Sequence, residues 1–130
     1  MKNKKIVVEY VPKQVFQNQL NRWTSEWSKV IESISNSQDK NLWQGKMMII
    51  QYVSAYLVEC GDGEEQGDYS LSKLVNKLYD LELKVQVEQQ LAVKQRQNEK
   101  IVFNQGLLEG IRQMRLFVLA LKYPMVSTKN

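Results

Sequence analysis

No proline stands between Pro12 and Pro124, no histidine occurs anywhere in the chain, and the only cysteine is Cys60. Without proline, nothing in that interval forbids the i to i−4 hydrogen bond, and its richness in Leu, Lys, Gln and Glu favours helix almost throughout. The lack of histidine removes the side chain that titrates near neutrality and the imidazole metal ligand. A single cysteine excludes an internal disulfide and, lying at the end of an apolar run, fits a reducing compartment. Long apolar runs are missing too. No window approaches the ~20 apolar residues of a membrane span, and the basic start Met1–Lys5 leads only into Ile6–Val8, Tyr10 and Val11, too short for a signal-peptide core. These absences predict a cytoplasmic protein.

What remains is the composition of a folded single domain. Of 130 residues, 43% are hydrophobic and 25% charged, enough apolar side chain for a core without staples. The net charge of +4 is unevenly placed. Residues 1–13 balance at +3, residues 59–68 at −5, and residues 94–129 at +5. Such polarity can attract nucleic acid at one end or orient copies head to tail.

Ile6–Val11 is β-branched and aromatic, and Pro12 ends it, which predicts a strand or extended arm over residues 1–12. No clear second strand lies nearby, so the arm is expected to lie over a neighbouring subunit or over its own bundle, and contact with a neighbour through Ile6, Val8 and Tyr10 is the preferred expectation. From Lys13 to about residue 125 the period is helical. Phe16, Leu20, Trp23, Trp27, Val30 and Ile34 step by 4, 3, 4, 3 and 4, an apolar seam on an amphipathic helix. Ser37 or Asp39 is the expected cap of a second helix, roughly 39–60. Its apolar residues, from Leu42 and Trp43 to Val58, cover most of the circumference and place it centrally. Gly61, Gly63 and Gly67 end it in an acidic loop, and a frayed tail is expected over 126–130.

Asp68 or Ser70 is the expected cap of the next helix. Leu71, Leu74, Leu78, Leu81 and Val85 form one stripe, with Leu83, Val87 and Leu91 as a second beside it. The run Leu81–Glu88 also alternates apolar with polar, so a strand competes with helix there. After the polar block Lys94–Lys100, helical period resumes with Leu107, Ile111, Met114, Val118 and Leu121. Residues 70–123 read either as one helix, about 80 Å long, or as a helical hairpin. With no Gly, Pro or Ser/Asp cap inside the polar block, the continuous helix is the preferred expectation.

The chemistry-bearing motifs are few. The loop Gly61–Asp68 lacks the ligand spacing of an EF-hand, and its glycines lack the lysine of a phosphate-binding loop. No catalytic constellation is recognisable, because no histidine can pair a nucleophile and Cys60 has only acids beside it in sequence. No enzyme activity, metal or cofactor is expected. Gly106 and Gly110 lie on one helix face and permit close approach of another helix, which with Met114 and Phe117 predicts an interface to another subunit. Trp23 and Trp27 belong to the apolar seam, whereas Trp43, close to Asn41 and Gln44, is a candidate exposed anchor. Lys94, Arg96, Lys100, Arg112 and Arg115 are the densest basic set and the candidate contacts to nucleic acid.

The segment Asn104-Gln-Gly-Leu-Leu-Glu-Gly-Ile-Arg112, continuing through Leu116-Phe-Val-Leu119 to Lys122-Tyr-Pro124, resembles the ends of small helical proteins encoded by tailed bacteriophages. That resemblance implies a virion component or accessory factor, placed in the host cytoplasm or in the virion, and carries over no site residue. The chain is expected to be all-α, a helical bundle with one long C-terminal helix or helical hairpin and a short extended N-terminal arm. Its expected role is structural, as an assembly or adaptor subunit acting as a homo-oligomer or with other protein subunits. A nucleic-acid-associated factor and a small protein inhibitor of a host enzyme are the alternatives.

Overall fold

The computed structural model describes residues 6–61 and 68–124, with side chains throughout except at residues 58–61. The basic start 1–5, most of the acidic loop, the Cys60 side chain and the expected frayed tail lie outside the described residues. The described elements run β1 (Tyr10–Pro12), α1 (Lys13–Ser33), α2 (Ser37–Gly61), β2 (Asp68–Ser70), α3 (Leu71–Lys94) and α4 (Asn98–Lys122). The four helices form a bundle, and β1 and β2 form a two-stranded antiparallel clip at one end of it.

Helix directions are evident from side-chain levels. Gly45 and Ile49 of α2 meet Gly106 and Gly110 of α4 in the same order, so these two helices run parallel. Gln89 Nε2 donates to the Ile101 carbonyl at 3.0 Å and Arg115 pairs with Glu82, so α3 returns antiparallel to α4. Trp27 meets Trp43 at one end while Phe16 meets Phe117 near the other, which sets α1 antiparallel to α2. Phe16, Leu20, Ile49, Leu57, Leu71, Leu78, Ile111, Met114 and Val118 fill the space between them and are fully buried. The expected seam of α1 and the first stripe of α3 both point into this core.

Several expectations are corrected. The preferred continuous helix over 70–123 is a hairpin: α3 stops at Lys94 and α4 starts at Asn98. The turn is a Schellman motif, with Gln97 N–H donating to the Ala92 carbonyl at 2.9 Å and Arg96 N–H to the Val93 carbonyl at 3.1 Å. Its left-handed position, normally glycine, is held by Arg96 at φ 56°, so no residue type announces the break. Leu81–Glu88 lies wholly within α3; its alternation is a helix with apolar residues on two faces rather than a strand. The cap of α2 is Asn36, whose Oδ1 accepts from the Gln38 and Asp39 amides at 2.8 and 3.2 Å, in place of Ser37 or Asp39. Ser70 caps α3 by accepting from the Lys73 amide at 3.3 Å.

The N-terminal arm has a strand partner within its own chain. Tyr10, Val11 and Pro12 stand opposite Ser70, Tyr69 and Asp68. Beyond the ladder, Val8 N–H donates to the Lys122 carbonyl at 2.8 Å and the Glu9 carbonyl accepts from the Leu71 amide at 2.8 Å. The arm thereby satisfies a donor at the start of α3 and an acceptor at the end of α4, two groups that a helix leaves unpaired at its ends. Ser72 Oγ donates to the Glu9 carboxylate at 3.0 Å and accepts from Lys122 Nζ at 2.8 Å, tying all three segments together. Val11 is buried and Val8 packs on the core, while Ile6, Val7 and Tyr10 stay exposed.

Candidate functional site

The residues expected to bind a second subunit through α4 face inward. A Cβ on Gly106 would collide with the Leu42 carbonyl and stand 3.1 Å from the Gly45 Cα; one on Gly110 would lie 2.9 Å from the Ile49 side chain. The helix that this glycine pair admits is therefore α2 of the same chain. Met114 is 1% exposed, and Phe117 sits between the Phe16 and Trp23 rings, at 5.2 and 5.5 Å. Gly106, Gly110 and Met114 are buried inside the bundle, and Phe117 is half-buried at the boundary of its core. Of the arm residues assigned to an interface, Ile6 and Tyr10 are exposed and Val8 is half-buried.

The basic residues divide into groups. Lys94, Arg96 and Lys100 are exposed around the α3–α4 turn. Lys100 shares an open cleft of about 890 Å³ with Lys40, between the first turns of α2 and α4, where Asn41 Nδ2 donates to the Glu99 carbonyl at 2.7 Å. Arg112 is exposed but lies about 18 Å further along α4 than Lys100. Arg115 is engaged: its guanidinium pairs with Glu82 and lies 5.1 Å from the Tyr79 ring centre. The five residues do not form one patch.

An aromatic string runs along α1 from one end of the bundle to the other. Tyr69, Phe16, Phe117, Trp23, Trp27 and Trp43 succeed one another with ring centres 6.1, 5.2, 5.5, 5.5 and 6.1 Å apart. Trp43 is thus a half-buried member of the core boundary rather than an exposed anchor. At that end Lys46, only 7% exposed, holds its Nζ 3.7 Å from the Trp43 ring centre and 4.8 Å from that of Trp27. Burial pushes the Lys46 pKa below its ordinary value, and the Glu109 carboxylate opposes that shift. Indole faces attract the ammonium and so compensate part of its lost hydration. Sequence reasoning missed Lys46; its signal was the single lysine within the apolar stretch Leu42–Leu57, three residues after Trp43.

Surface apolar residues gather on the outward face of α3. Tyr79, Leu83, Val87 and Leu91 recur every fourth residue and are 48%, 62%, 57% and 46% exposed. The core-facing residues Leu71, Leu74, Leu78, Val85 and Ala92 occupy the opposite side of the helix. The row extends about 18 Å. Singly exposed apolar residues are ordinary, but a continuous row on the outside of a bundle is not what a water-facing helix carries. The second stripe Leu83, Val87 and Leu91 is visible in the sequence; Tyr79 joins it only once α3 is placed, with its ring beside Arg115 of α4. Among the described residues, no group of three or more His, Cys, Asp or Glu is placed to hold a metal ion. No described helix is long and apolar enough to cross a membrane.

These features define an all-α four-helix bundle closed at one end by a strand clip. Compared with protein-family profiles, curated proteins and solved structures, the chain matches none.

Proposed function

We propose that this protein is a non-enzymatic assembly or adaptor subunit that acts through helix-mediated protein–protein contacts, self-association among them. The observation that carries this reading is the exposed row Tyr79, Leu83, Val87 and Leu91 on the outside of α3. Covering such a row removes apolar surface from water, the dominant favourable term in protein association. The contact surface is thus assigned to α3 in place of the glycine face of α4. The likeness of the C-terminal segment to small phage proteins is the support for assigning the subunit to a virion or an accessory complex. Sedimentation velocity over a dilution series from tens of micromolar downward tests the reading. A mass that rises with concentration above 15.2 kDa supports it, and a strictly monomeric chain opposes it.

A second reading, a nucleic-acid-associated factor, is favoured by Lys40, Lys94, Arg96 and Lys100 at the end of the bundle that carries the α3–α4 turn. Affinity for a DNA duplex that falls steeply between about 50 and 200 mM salt is its signature.

A further inference from the structure

We infer that the outward face of α3 is the interface of a two-fold dimer, in which α3 packs antiparallel on α3 of a second copy with Val87 at the axis. The inference rests on the assembly reading and gives it a partner and a register. When two identical helices pack antiparallel about a perpendicular two-fold, residues equally spaced on either side of the axial residue stand level across the interface. About Val87, Leu83 stands level with Leu91, and Asp80 with Lys94. The apolar pair is matched in kind and the charged pair is opposite in sign, each occurring twice in the dimer.

The next charges agree. Lys84 stands two positions, about 3 Å, from the level of Glu88 of the second copy, on the same flank of the contact, and long side chains bridge that offset. Asp80, Lys84, Glu88 and Lys94 are all exposed, so none is diverted into the core of its own bundle. The residue that centres the apolar pair thus also centres a charged pair of opposite sign, the pattern that a second copy requires. Size fits as well. The four apolar side chains leave on the order of 400 Å² open per copy, a patch at the scale that marks interaction sites. Two copies with the stems of Lys84, Glu88 and Lys94 reach about 1,200 Å², the lower end of stable interfaces. The strand clip and the described part of the arm lie at the far end of α3, beside Leu71, and leave the approach to Val87 open.

Cysteine cross-linking reads the register directly. In a Cys60→Ser background, Val87→Cys and Leu83→Cys are compared under mild oxidation. Only a residue at the axis meets its own copy within the Cα separation of about 5.5 Å that a disulfide needs, whereas Leu83 stands some ~12 Å along the axis from its own copy. The inference expects a disulfide-linked dimer from Val87→Cys and at least tenfold less from Leu83→Cys. Charge reversal is the second arm. Asp80→Lys and Lys94→Glu each weaken dimerisation several-fold, and the double reversal restores it. The two residues are fourteen positions apart on one helix, so restoration reports a contact between copies. If sedimentation shows a dimer but Val87→Cys does not cross-link, or both cysteines link equally, this interface is wrong while the assembly reading stands. A chain that stays monomeric in sedimentation overturns both.

Discussion

Gly45 of α2 and Gly106 of α4 meet so closely that a methyl group on either would stand 3.1 Å from the Cα of the other. This contact brings the backbones of the two parallel helices together and leaves α1 and α3 to fill the flanks of that pair. Together with the approach of Gly110 to Ile49 one turn on, it explains two glycines in the interior of α4, where each lowers helix propensity by about 1 kcal/mol relative to alanine.

Gly106→Ala is therefore expected to destabilise the fold by about 2 kcal/mol, because overpacking against the Leu42 carbonyl outweighs the propensity gain. Gly110→Ala is expected to cost less only because its contacts are longer, 2.9 Å to the buried Ile49 side chain and 3.0 Å to the Lys46 carbonyl. Urea unfolding measures both. A stabilised Gly106→Ala protein would contradict the close contact.

Arg96→Gly is expected to stabilise the protein by about 1 kcal/mol, or roughly 4 °C in Tm, by relieving the left-handed backbone at the α3–α4 turn. Calorimetry checks it. An unchanged or lowered Tm would mean that the arginine side chain contributes there more than the backbone costs.

Removal of residues 1–11 is expected to lower stability by about 3 kcal/mol. The burial of Val11 is lost, together with the hydrogen bonds from Val8 to Lys122 and from Leu71 to Glu9. An arm dispensable to its own subunit, the expectation from sequence alone, would leave melting unchanged. Thermal unfolding of the truncated chain separates the two.

Lys46 makes stability depend on alkaline pH. Its folded-state pKa is depressed, so between that value and the ordinary lysine value the unfolded chain binds more protons. Stability therefore rises with pH across that window, and below it the burial cost of the charged form is fully present. Lys46→Met removes the window. Urea midpoints of wild type and variant at pH 7 and pH 10 are expected to show the wild type gaining on the variant at the higher pH. A constant difference between them would rule the assignment out.

The helical period of α1 was legible because Phe16, Leu20, Trp23 and Trp27 repeat the 3.6-residue turn and no second pattern competes. The hairpin was not, because its Schellman turn uses Arg96 where the usual signal is glycine. Strand β2 is only Asp68–Ser70, and its single core residue, Tyr69, is too little to show a period. Gly106 and Gly110 announced a close helix contact correctly, but spacing within one helix does not say which helix approaches. The same limit applies to α3: Leu83, Val87 and Leu91 were evident as a stripe, and only the position of the core on the other side of the helix shows that it faces out. Lys46 showed only half of its cage in the sequence: Trp43 stands three residues before it, but Trp27 comes from α1.

Light scattering on the wild type beside Val87→Lys, at matched concentration, tests α3 as the contact surface most directly. Val87 is exposed, so the variant keeps its fold, which far-UV circular dichroism verifies. A dimer through α3 requires a wild-type mass approaching twice 15.2 kDa and a variant that remains at 15.2 kDa. Equal masses for the two proteins would refute that interface.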